Sequence, residues 1–141
     1  MYEKDTIFFT SVFLFITMGI TGCKDNEKPQ FEIYENHDIS ACGVEDPLRN
    51  IEWLAETYQE LINSKDMSQS SISLYQVIDK DEYIFAISRP WSDEHYFTIN
   101  YRNCSGEHVF HWNTVTSPND YYEDFMKDKE FVAILFQLTK Q

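Results

Sequence analysis

Glu82-Tyr83-Ile84-Phe85-Ala86-Ile87-Ser88 decides how this chain folds. Tyr83, Phe85 and Ile87 share one face of an extended segment, while Ile84 and Ala86 share the other, because successive side chains of a strand point to opposite sides. Ahead of it, residues 72–79 are β-branched and apolar and end at the turn Lys80-Asp81. Two such runs across a short polar turn make a hairpin. Beyond it, Arg89-Pro90-Trp91-Ser92-Asp93-Glu94 reads as a loop. It leads into residues 95–102, where Phe97, Ile99 and Tyr101 alternate with Tyr96, Thr98 and Asn100. Asn103-Cys104-Ser105-Gly106 turns the chain again and residues 107–113 return. Four strands joined by short turns predict an antiparallel meander with one face free to pack on a helix.

That helix is written upstream. Asp46-Pro47 opens it, since Asp accepts from free amides and Pro at the first helical position loses no bond. Leu48, Ile51, Leu54, Ala55, Tyr58, Leu61 and Ile62 then recur at three- and four-residue spacing, an apolar stripe of about four turns. Trp53 sits at the edge of the stripe and reads as a packing residue. After the meander, Ser117-Pro118-Asn119-Asp120 predicts a short helix capped by Ser117. Residues 129–138 form a last strand, apolar on both faces through Phe131-Val132-Ala133-Ile134-Leu135-Phe136. The expected fold class is α+β: an N-terminal amphipathic helix packed on an antiparallel sheet of four or five strands, with a short helix before the last strand.

The 141 residues carry 24 acids against 11 Lys plus Arg, a formal net charge of −13. Such a field repels phosphate backbones and so disfavours nucleic acid as a partner. Only 4 glycines are present, which excludes Gly-rich phosphate loops.

Residues 6–20 are dominated by Ile, Phe, Val, Leu and Met and close on Ile20-Thr21-Gly22-Cys23. A bilayer-spanning helix needs roughly 20 apolar residues, a signal h-region about 7–15. The segment therefore fits a cleaved signal. Its last four residues resemble the lipobox of bacterial lipoproteins. The resemblance implies that Cys23 carries a diacylglyceryl thioether and an amide-linked, palmitate-type chain, which together hold a protein on a membrane essentially permanently. The polar run Lys24-Asp25-Asn26-Glu27-Lys28-Pro29 then reads as a tether, and its Lys followed by acids is similar to the surface-export signal of some Gram-negative lipoproteins. The implied organisation is a signal peptide over 1–22, a lipidated Cys23 with polar tether over 23–41, and one α+β domain over 42–141. The implied address is the cell envelope, on the periplasmic or cell-surface face of the outer membrane.

With Cys23 lipidated, Cys42 and Cys104 remain. An even pair in an oxidising compartment is a disulfide candidate; two free buried thiols are the alternative.

Residues 42–113 also resemble a family of small uncharacterised envelope lipoproteins. The shared marks are Cys42-Gly43-x-x-Asp46-Pro47-Leu48, then Ile51-x-Trp53-Leu54, a strand like Ile72-Ser73-Leu74-Tyr75-Gln76, and Tyr101-x-x-Cys104-x-Gly106. The family has no established activity, so the resemblance implies fold and address alone.

The remaining candidates are sparse. Trp91, Asp93, Glu94 and His95 gather an indole, two carboxylates and an imidazole, residue types suited to a glycan or ligand surface. A small hydrolase or metal-dependent enzyme using Asp93, Glu94 and His95 is the alternative. Tyr75, Tyr96 and Trp91 would make an aromatic patch if they shared a face. His108 and His111 stand three apart on one strand, so alternation puts them on opposite faces. No G-x-S-x-G and no CxxC is present, and no cofactor, metal ligand or catalytic residue is assigned. The expected function is a lipid-anchored, non-catalytic binding or accessory module whose partners are the membrane, through Cys23, and an envelope protein or glycan.

Overall fold

The computed structural model describes residues 31–64, 69–91 and 93–140. The chain order is β1 (Phe31–Glu35), β2 (Ser40–Ala41), β3 (Val44–Glu45), α1 (Pro47–Asn50), α2 (Glu52–Asn63), β4 (Ser71–Val77), β5 (Tyr83–Trp91), β6 (Asp93–Asn103), β7 (His108–Asn113), α3 (Asn119–Met126) and β8 (Lys129–Lys140). One antiparallel sheet of six strands runs β1-β8-β4-β5-β6-β7, and β2 and β3 make a separate small hairpin. The protein is therefore α+β, with the β4–β7 meander extended at one end by β8 and β1. Strand β8 lies between β1 and β4; Leu135, Phe136 and Leu138 of its apolar run are buried, whereas Phe131 and Val132 stay 56% and 39% exposed.

Helix α2 covers one face. Leu54 and Leu61 project from it, both 0% exposed, into a core with Ile72, Leu74, Phe85 and Phe136. Each such side chain contributes about 1.5–3 kcal/mol relative to exposure. On the opposite face α3 covers a smaller cluster. Phe125 stacks on Phe110 at 4.3 Å and meets Tyr101 edge-on at 5.0 Å, while Trp112 packs on Tyr122 at 5.3 Å.

Several expectations need correction. The sheet has six strands rather than four or five, because residues 31–35, expected as tether, pair with β8 from Phe31↔Lys140 to Glu35↔Phe136. The domain thus begins at least as early as Phe31, not at residue 42. The single helix from Pro47 is two, broken at Ile51, whose backbone is extended (φ −100°, ψ 111°). Asp46 does not cap it. Its backbone is left-handed (φ 45°) and its carboxylate is turned to other partners. Ser117 is not a cap either; its hydroxyl accepts the Asn113 amide at 3.0 Å.

Residues 89–91 and 93–94 belong to strands rather than to an open loop. Strands β5 and β6 stay paired through Arg89↔Thr98 and Pro90↔Phe97, with the register slipping at Pro90/Trp91 before Trp91↔Asp93. Pro lacks an amide to donate and is tolerated at such an irregularity. The signal segment, the lipobox and Cys23 lie outside the described residues.

Candidate binding cleft

Trp53, Glu56, Thr57 and Glu60 occur at i, i+3, i+4 and i+7 of α2, so they share one flank of the helix. On the sheet beneath, Asn100 and Arg102 are alternate residues of β6 and therefore share a face. With Ile87 and Arg89 of β5, these two sets enclose a cleft of about 360 Å³. Two of the chain's three arginines line it.

The charged groups divide unequally. Arg89 donates to Glu60 Oε2 at 3.2 Å, bridging helix and sheet. Pairs this exposed are worth about 1 kcal/mol or less. Arg102 and Glu56 line the same cleft but have no ion-pair partner among the described residues. The Arg102 guanidinium lies 5.7 Å from the Trp53 ring, donates to His108 Nε2 at 3.0 Å, and keeps Nε buried without an acceptor among the described residues.

Strand β7 braces this wall. His108 accepts from Arg102, and His111 Nδ1 bonds Asn100 Oδ1 at 2.8 Å. Strict alternation would send the two histidines to opposite faces. The register slips by one residue between Tyr101↔Phe110 and Arg102↔His108, and such a bulge resets the alternation. Both imidazoles thus reach cleft residues on one face.

The N-terminal end of α2 is fixed by a second constellation. The Trp53 indole N–H donates to the Cys104 carbonyl at 3.0 Å and its ring meets Phe85 edge-on at 5.5 Å. Cys104 is joined to Cys42 by a disulfide, with Cα atoms 5.7 Å apart. Cys42 and Gly43 form the β2–β3 turn with positive φ at both (57° and 75°), as a two-residue hairpin of primed type requires. The disulfide therefore ties that hairpin to the turn between β6 and β7.

His37 sits between two carboxylates. Its Nδ1 bonds Asp46 Oδ1 at 2.9 Å and its Nε2 bonds Glu35 Oε2 at 3.2 Å. Tyr58 donates to the other Glu35 oxygen, and Arg49 approaches Asp46 at 3.6 Å. Hydrogen bonding to Asp46, then to Glu35, raises the His37 pKa above its ordinary 6.5. The cluster holds the end of β1 to the start of α1 and to α2.

Of the residues singled out in the sequence, the side chains of Trp91, Asp93, Glu94 and His95 lie outside the described residues. Their backbones end β5 and begin β6. Tyr75 packs with Tyr101 and Phe131, on the face α3 covers. By alternation Tyr96 falls on the other face, so the aromatic patch does not assemble. Trp53, read as packing alone, packs and also lines the cleft. Arg89, Asn100, Arg102, Glu56 and Glu60 escaped the sequence reading. The available signals were the helical spacing from Trp53 to Glu60 and two arginines entering paired strands. Among the described residues no group of three His, Cys, Asp or Glu could hold a metal ion. No protein-family model, curated protein or solved structure matches the chain.

Proposed function

We propose that this protein is a lipid-anchored module of the cell envelope that binds a ligand in the cleft between α2 and strands β5–β6 and releases it unchanged. The cleft is the observation that carries the reading. Its volume of about 360 Å³ lies within the range of small-molecule sites, roughly 300–1,000 Å³. It offers an indole, guanidinium groups, an amide and carboxylates, groups that orient a ligand by hydrogen bonds and charge. The anchor rests on Ile20-Thr21-Gly22-Cys23 and on its resemblance to a lipobox. Acylation at Cys23 would hold the domain at the outer membrane.

The test is the full chain purified from membranes and screened for thermal stabilisation against a broad small-molecule panel. A ligand that binds only the folded state raises the melting temperature by mass action, and it should be recovered chemically intact. Turnover of any panel member would overturn the non-catalytic reading and return attention to Asp93, Glu94 and His95. For the address, Cys23→Ser should abolish acylation and release the protein from membranes. A lipid-modified product that persists would refute it.

A further inference from the structure

We propose that the cleft recognises a small zwitterion carrying a carboxylate and an ammonium group, such as a free amino acid or a short peptide. The inference rests on the reading of the cleft as the binding site and adds the ligand's chemistry. Arg102 and Glu56 line one cavity and carry opposite charges, yet neither is paired with the other or with a further ion among the described residues. Arg89 and Glu60, which line the same cavity, neutralise each other at 3.2 Å. Two opposite charges held apart across a cleft form a fixed dipole, and a ligand with the reverse dipole satisfies both at once.

Arg102 suits the carboxylate. A guanidinium presents a planar fork of donors that matches carboxylate geometry. Among the described residues this one uses a single hydrogen bond, to His108, so donors remain for a ligand. Its position is set on two sides, by His108 and by the Trp53 ring, so little ordering entropy is lost when an anion arrives. Asn100, held by His111 at 2.8 Å, adds an amide on the same wall. Glu56, one helical turn from Glu60, receives the ammonium. Trp53 and Ile87 provide apolar surface for a side chain. A simple anion would meet Glu56 and Glu60, and a simple cation would meet Arg102. The lining carries equal numbers of positive and negative side chains, which favours a ligand with no net charge but two charged ends.

The experiment is a titration of the full chain with alanyl-leucine, followed at the Trp53 indole N–H resonance. N-acetyl-alanyl-leucine, alanyl-leucine amide and the neutral sugar N-acetylglucosamine are run in parallel. The expected result is saturable binding of the dipeptide, weakened ~10-fold or more by acetylating its amine or amidating its carboxylate, the scale of one charge-assisted hydrogen bond. Glu56→Gln, a change on an exposed helix flank, should weaken the dipeptide but not its N-acetyl form. Arg102→Lys should weaken the dipeptide but not its amide. Equal affinity for the dipeptide and its N-acetyl form would overturn the proposal in favour of a plain anion site. Binding of the sugar alone would overturn the zwitterion while leaving the cleft as the binding site. A Trp53 resonance unmoved by every probe would overturn the zwitterion, and the cleft itself would then stand or fall on the wider panel.

Discussion

The Trp53 indole N–H donates to the Cys104 carbonyl oxygen at 3.0 Å, and that one bond fastens helix α2 to the turn that follows β6. The same turn is joined by disulfide to Cys42. Trp53 forms part of one cleft wall, and Arg102, two residues before Cys104, forms part of the other. This chain of contacts fixes the Trp53 end of the cleft, while burial of Leu54 and Leu61 seats the rest of α2 on the sheet.

Gly106 should not tolerate a side chain. A Cβ there would lie 2.8 Å from Trp53 Cγ, and the backbone φ is +84°, a region L-residues adopt at a cost. Gly106→Ala is expected to lower unfolding free energy by about 1–3 kcal/mol, read from urea denaturation. Gly43→Ala is the control, with φ +75° and nothing within 4 Å. It should cost less.

Opening the disulfide should cost about 2–5 kcal/mol, the usual range for a native bond closing a loop of this size. Cys42→Ala with Cys104→Ala, compared with wild type by denaturation, measures it. Alkylation before and after reduction, read as intact mass, should add two labels at Cys42 and Cys104 only after reduction.

The pH response should centre on His37. Its native pKa is raised above 6.5 by Asp46 and then Glu35, so the folded state holds the proton more tightly than the unfolded chain. That contribution is complete below the ordinary value of 6.5 and is lost as pH rises through the native value. Melting temperature should therefore fall across that window in wild type. In His37→Gln the fall should be smaller, with the largest difference between the two proteins on the acidic side.

Ser70 is fully buried and its hydroxyl has no hydrogen-bond partner among the described residues. Its backbone carbonyl, by contrast, accepts from Leu138 at 2.8 Å. Removing an unsatisfied buried hydroxyl relieves its desolvation cost. Ser70→Ala should be neutral or stabilising by up to about 1 kcal/mol, which denaturant midpoints will show.

Local patterning made the meander legible. Tyr83, Phe85 and Ile87 alternate with Ile84 and Ala86, and β4 through β7 follow in order. The doubly apolar run from Phe131 to Phe136 pointed to an interior strand, and β8 is one. What could not be read were features set by distant partners. Phe31-Glu32-Ile33-Tyr34-Glu35 becomes a strand because β8 offers an edge more than 90 residues later in sequence. The bulge beside Arg102 brings His108 and His111 to one face, and a bulge leaves little local mark when no Gly or Pro accompanies it. Asp46 looked like a helix cap, but His37 and Arg49 claim its carboxylate. The cleft residues were visible singly, and only the docking of α2 across β5 and β6 makes them a set.

The most direct test of the binding account uses two indoles on opposite faces of the sheet. Trp53 lines the cleft beneath α2, and Trp112 packs under α3 against Tyr122. Their N–H resonances, assigned in the full chain with Trp53→Phe, Trp91→Phe and Trp112→Phe, are followed during titration with the small-molecule fraction of bacterial envelopes. The account predicts a saturable shift at Trp53 with Trp112 unmoved. A shift at Trp112 with Trp53 unmoved would contradict it.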